Sequence, residues 1–179
     1  MSAVVIDTNV LLIANGSHQA ISPQCRAECV TRLLARQRDG VVVIDDAFRI
    51  LAEYLHKTKP NQPKGVGDVF LKWLLQNAAN EKRVHRVTIN ETAPDEYAEF
   101  PDPVLQPRFD APDRKFAAVA HAHPSKPPVW QGADCKWLGW WPQLASQGVI
   151  VEFLCPADVQ RFYVAKFPKH ALPDLPSSR

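Results

Sequence analysis

Two runs of four residues, Ala3-Val4-Val5-Ile6 and Val41-Val42-Val43-Ile44, constrain this chain more than any other feature. Neither alternates apolar with polar side chains, so a strand formed by either buries both of its faces. Such strands belong in a parallel sheet covered by helices above and below. The segments between them have the matching pattern. Val10 to Ala14 reads as a short helix stopped by Asn15-Gly16. Pro23 opens a longer helix that turns Val30, Leu33 and Leu34 inward and ends at Gly40.

The same alternation continues along the chain. Asp45-Asp46 is placed to cap a helix with the apolar positions Phe48, Leu51, Ala52 and Leu55, the i, i+3, i+4, i+7 stripe. Gly67 to Ala79 is a second amphipathic helix, with Val69, Phe70, Trp73 and Leu74 inside. Residues 84–89 fit a strand or a loop. Asp113 to Ala122 reads as helix, Pro128-Val129-Trp130 as strand, and 136–146 as helix on either side of Pro142. Val149 to Leu154 forms a last strand, before a helix from Ala157 to about Lys166. The expected fold class is therefore α/β, a single-domain three-layer α/β/α arrangement around a central parallel sheet.

The 179 residues, 46% of them hydrophobic, suit one compact core. Residues 1–167 read as that domain, and 168–179 as a Pro/Ser-rich C-terminal tail lying loosely on it. No apolar run approaches the roughly 20 residues that cross a bilayer. The opening apolar residues stop at Asp7 without the basic lead of a signal peptide, so a cytoplasmic location is expected. The formal net charge of +2 neither favours nor excludes a polyanionic partner. Cys25, Cys29, Cys135 and Cys155 show no CxxC spacing and read as small buried thiols in a reducing compartment.

Function is sought where strands end, because open parallel sheets gather ligands beyond their carboxyl edges. Asp7 follows the first strand directly, and Asp134 closely follows the strand at Trp130, so both project from one edge. Either one also suits a helix cap. Glu53 lies one position off the apolar stripe of its helix, with Arg49 and Lys57 at i−4 and i+4, the spacing of an exposed ion-pair ladder. Asp113 opens a helix, where the dipole favours an acid whatever its function.

Taken together, four segments are similar to a known family. Val4-Val5-Ile6-Asp7-Thr8-Asn9-Val10-Leu11-Leu12 resembles an opening strand with its aspartate. Asp46-Ala47-Phe48-Arg49-Ile50-Leu51-Ala52-Glu53-Tyr54-Leu55 resembles the helix that supplies a glutamate. Asp110-Ala111-Pro112-Asp113-Arg114-Lys115-Phe116-Ala117-Ala118-Val119-Ala120 resembles an acid followed by an alanine-rich helix, and Gly132-Ala133-Asp134-Cys135-Lys136-Trp137-Leu138 the position of a last acid. The family is that of the PIN-domain nucleases, which includes the ribonuclease toxins of VapC-type toxin–antitoxin pairs. Gly132 stands where the family often has Thr or Ser, and Lys136 where it often has a further Asp.

The resemblance implies a divalent-metal-dependent ribonuclease with Mg²⁺ or Mn²⁺ held by Asp7, Glu53, Asp113 and Asp134. A hard cation on carboxylates both activates water and neutralises the charge that develops on a phosphodiester. Thr8 and Asn9 are candidates for supporting those ligands, or simply cap the first helix; Asp110 is either an additional acid or a turn residue before Pro112. An RNA substrate is implied, met by Lys57, Lys59, Lys64, Arg114 or Lys115, unless these are ordinary solvated surface. A protein antitoxin and a homodimer are implied partners; a membrane is not. Trp137, Trp140 and Trp141 fit base stacking or core packing, and His121 and His123 fit surface or capping roles better than a metal pair. A second reading is a catalytically weak PIN-like module that binds RNA or a protein partner without cutting, and Gly132 and Lys136 keep it open. A receiver-like domain using Asp45 and Asp46 has no identifiable phosphoacceptor and lysine to complete it.

Overall fold

The computed structural model describes residues 2–177. From the N-terminus, β1 (Ala3–Ile6) leads into α1 (Thr8–Ala14) and α2 (Pro23–Asp39), and β2 (Val41–Asp45) into α3 (Arg49–Lys57) and α4 (Val66–Asn77). After β3 (Val84–Val87), a small antiparallel hairpin of β4 (Glu91–Ala93) and β5 (Glu96–Tyr97) precedes α5 (Arg114–Ala122). The chain then runs through β6 (Val129–Gln131), α6 (Trp137–Ser146), β7 (Val151–Phe153) and α7 (Pro156–Lys166). The five longer-range strands form one parallel sheet in the order β3-β2-β1-β6-β7, flanked by helices in a three-layer α/β/α fold.

The strand order places the site. From β1 the chain winds outward through β2 to β3, then returns to the opposite side of β1 and winds outward again through β6 to β7. The winding therefore reverses between β1 and β6, and the crevice beyond the carboxyl ends at such a reversal is where α/β sheets bind ligands. The sheet beneath is dry. Val4, Val5 and Ile6 and Val42, Val43 and Ile44 have no exposure, and the α5 residues Phe116 to Ala120 are equally buried.

Several helical faces differ from the sequence expectation, each for a local reason. Phe48 is exposed because it precedes α3 with φ 59°, outside the helix; the Asp45 carboxylate accepts the first free amides, from Arg49 and Ile50, both at 2.9 Å. The buried face of α3 is consequently Ile50, Leu51 and Tyr54, and Ala52 and Leu55 are exposed. In α4 the inward residues are Phe70, Leu71 and Leu74, with Val69 exposed, and in α2 Leu33 is buried while Leu34 is exposed. Residues 84–87 are strand, and α6 continues through Pro142.

The cysteines depart furthest from expectation. Cys25 and Cys155 are joined in a disulfide, so they are not reduced thiols; Cys29 and Cys135 are free and buried. The bond fastens the first turn of α2 to the residue before α7, and Asp158 reinforces the junction by accepting from the amide and hydroxyl of Ser22 at 2.8 and 2.6 Å. Pairing across 130 residues leaves no mark in local spacing. Trp137 packs edge-on against Phe109 and Trp140 lies over the same ring, while the Trp141 indole donates to the carbonyl of Asp174 and ties down the tail. Core packing thus takes the tryptophans. His123 takes the capping alternative, as the C-cap of α5, and is buried there, stacked on His85 with ring nitrogens 2.9 Å apart. No helix among the described residues is long and apolar enough to cross a membrane.

Candidate metal centre

Asp7 leaves β1 at the reversal of winding. Its amide donates to the Trp130 carbonyl at 3.0 Å, which fixes the end of β1 against β6, and its carboxylate accepts from the Asn9 amide at 2.9 Å to cap α1. Asp134 accepts from the Lys136 amide at 3.1 Å in the turn before α6, whose N-cap is Lys136 itself. Capping and site-building are the same placement for Asp7, while a local turn holds Asp134.

Asn9 joins the two strand ends. Its side-chain oxygen accepts from the Gly132 amide at 2.9 Å and its NH₂ donates to Gln131. A Cβ at position 132 would stand 2.6 Å from that Asn9 oxygen and 2.5 Å from the end of Ile13. Glycine at 132 is therefore explained by this close approach.

Glu53 comes in from α3 and does not form the ladder its spacing suggested. Its carboxylate accepts from the Thr8 hydroxyl and is bonded by the Lys115 ammonium. Arg49 turns instead to Asp45 and Glu91. Asp113 stands at the start of α5 and accepts from the Trp137 indole at 3.3 Å. Asp7, Glu53, Asp113 and Asp134 thus line a single cleft of about 410 Å³, together with Thr8, Asn9 and Lys57. Asp110 adjoins it: one carboxylate oxygen each from Asp110, Asp113 and Asp134 lie within 4.8 Å of one another.

Other expected contacts lie elsewhere. Arg114 is buried and directed away, donating to the carbonyls of Phe109 and Asp95 and pairing with Glu96, so it braces the hairpin instead of meeting a substrate. Lys59 and Lys64 give their amides to the Asp68 carboxylate in the loop before α4, and neither lines the cleft. Lys115 reaches the site but is engaged with Glu53 and the Pro112 carbonyl. Lys136, which the sequence marked only as a departure from the family pattern, pairs with Asp110 and stands 3.9 Å from Asp134; His18, Phe162 and Lys166 on the cleft wall were given no site role. Lys136 sits two residues from a candidate ligand, a signal that was legible; the α7 residues offered none.

The acids are in electrostatic tension. Burial, with the charges of Asp134 and Glu53 added, pushes the Asp7 carboxyl up to about 7 against the opposing bond from Asn9. Burial and then the charges of Asp7 and Asp134 push Asp113 up to about 8, and burial raises Asp134. Carboxylates in this condition are stabilised by a cation or by protons. The four acids offer carboxylate oxygens, which suit Mg²⁺ or Mn²⁺, and His18 and Cys135 stand on the wall of the same cleft.

No family model, no curated protein and no solved structure matches the chain. The site thus rests on its own residues.

Proposed function

We propose that the chain is a divalent-metal-dependent ribonuclease with Asp7, Glu53, Asp113 and Asp134 as its metal ligands. The observation that carries this reading is the meeting of four acids from four distant segments in one cleft at the reversal of strand winding. When bound there, Mg²⁺ or Mn²⁺ supplies a Lewis acid and a water of lowered pKa. The protein's own groups do the positioning. Asn9 holds the ends of β1 and β6 together, Thr8 and Lys115 fix both sides of the Glu53 carboxylate, and the Trp137 indole orients Asp113. Lys57 and Lys166, exposed on the cleft wall, are placed to meet phosphates of an RNA strand.

The toxin role, with an antitoxin partner and a homodimer, belongs to this proposal through the PIN-type resemblance. So does the cytoplasm, although the Cys25–Cys155 bond weighs against a steadily reducing compartment. A second reading, an RNA- or protein-binding module without cleavage, is favoured by the Lys136 ammonium lying against Asp110 and Asp134. Cleavage of fluorescent single-stranded RNA in Mn²⁺ and in EDTA separates them. The nuclease reading expects EDTA-sensitive cutting that falls by more than about 100-fold in Asp7→Asn, beyond the loss for a ligand-orienting group. RNA binding without cutting in Mn²⁺ overturns it.

A further inference from the structure

The trio Asp110, Asp113 and Asp134 is compact enough for one ion, since its oxygens lie within 4.8 Å of one another. A cation is already present on one side of it. The Lys136 ammonium is bonded to Asp110 and lies 3.9 Å from Asp134. Two features keep it there. The amide of the same residue donates to the Asp134 carboxylate at 3.1 Å, and the ammonium lies 6.0 Å from the centre of the Trp140 ring. Lysine presents a compact point charge with three donors, enough to serve two carboxylates at once.

We propose, resting on the metal-centre reading above, that Lys136 is a tethered cation that occupies the Asp110–Asp134 side of the cluster and limits the site to one divalent ion. A second divalent ion on the trio would share Asp110 and Asp134 with a fixed ammonium, and like charges a few ångströms apart repel. The carboxylates of the cleft are then left with one divalent ion among them. Lys115 does not have this role, because its ammonium is anchored to Glu53 and the Pro112 carbonyl. Lys136 is then a positioning residue, one that sets how many ions the carboxylates accept.

Mn²⁺ titration calorimetry and electron paramagnetic resonance on the full chain test this, with Lys136→Gln and the double variant Lys136→Gln/Asp110→Asn. The glutamine substitution keeps the backbone amide that donates to Asp134, and a thermal melt of each variant verifies folding. The expected result is about one Mn²⁺ per wild-type chain and a twofold rise in Lys136→Gln, with the spectrum broadened by coupling between neighbouring ions. The double variant returns to about one. One ion in both wild type and Lys136→Gln overturns the tethered-cation role and leaves the metal centre standing. Two ions in wild type overturn it as well. No Mn²⁺ bound by either protein removes the metal-centre reading itself.

Discussion

Asp7→Asn turns the tension in the acid cluster into a measurable stability. Burial chiefly, with Asp134 and Glu53, raises the Asp7 carboxyl from its ordinary 3.8 to about 7. A folded-state pKa raised for an acid penalises the charged form. The penalty is absent below the unfolded pKa, grows as pH rises between the two values, and is complete above about 7. At about 1.36 kcal/mol per pH unit, the two units from pH 5 to pH 7 give about 3 kcal/mol. Asp7 and Asp113 titrate together, so this figure belongs to the pair and is counted once. Asn retains an oxygen for the Asn9 amide and removes the charge. In EDTA, urea unfolding should therefore show the advantage of Asp7→Asn over wild type growing by about 3 kcal/mol from pH 5 to pH 8. Saturating Mn²⁺ should close most of that gap at pH 8, because wild type gains about 2.7 kcal/mol at a hundred times its Kd. A difference that does not change with pH, or an Asn variant that loses ground as pH rises, refutes the account of the buried cluster.

Three further outcomes follow from particular contacts. Reducing Cys25–Cys155, or replacing Cys155 by Ser, should cost about 5 kcal/mol on the chain-entropy formula for a loop of 130 residues, with about 2–5 observed for native bonds; urea melts with and without reductant measure it, and coincident curves refute it. Gly132→Ser puts a Cβ within 2.6 Å of the Asn9 side-chain oxygen, so it should cost about 1–3 kcal/mol and weaken Mn²⁺ binding by breaking the Asn9 clamp; unchanged calorimetry and an unchanged melt refute that role. Arg114→Ala should lose about 1–3 kcal/mol from the unpaired carbonyls of Phe109 and Asp95 while leaving Mn²⁺ affinity as it was; a large loss of affinity would return Arg114 to the site.

What could be read from the sequence followed local rules. The β-branched runs at Ala3–Ile6 and Val41–Ile44 carry their own burial, and the helices between them dictate parallel crossovers, so the sheet was legible. Asp7 and Asp134 could be placed on one edge because each directly or closely follows a strand. Faces were harder. The φ of Phe48 starts α3 late and shifts its buried stripe onto Ile50, Leu51 and Tyr54, and Tyr54 was not counted as apolar although its hydroxyl finds the Ile6 carbonyl inside the core. Pairings between distant segments left no local trace: Cys25 with Cys155, His85 with His123, and the turn of Arg114 toward the β4–β5 hairpin.

The charges around the cleft decide what kind of ligand it can take. Asp7, Glu53, Asp110, Asp113 and Asp134 converge there, and the ammoniums in direct contact with them are Lys115 and Lys136. Two positive charges against five acids leave an excess that the exposed Lys57 and Lys166 screen only through solvent. Protons make up part of the difference, which is why Asp7 and Asp113 hold theirs near neutral pH. A phosphate approaching this floor without a multivalent cation meets repulsion from every carboxylate still ionised. A divalent ion removes that repulsion, but it must first displace those protons, so its affinity should climb as pH rises through the values of Asp7 and Asp113. On the nuclease reading proposed above, a phosphodiester would meet this cleft favourably only with the cation in place.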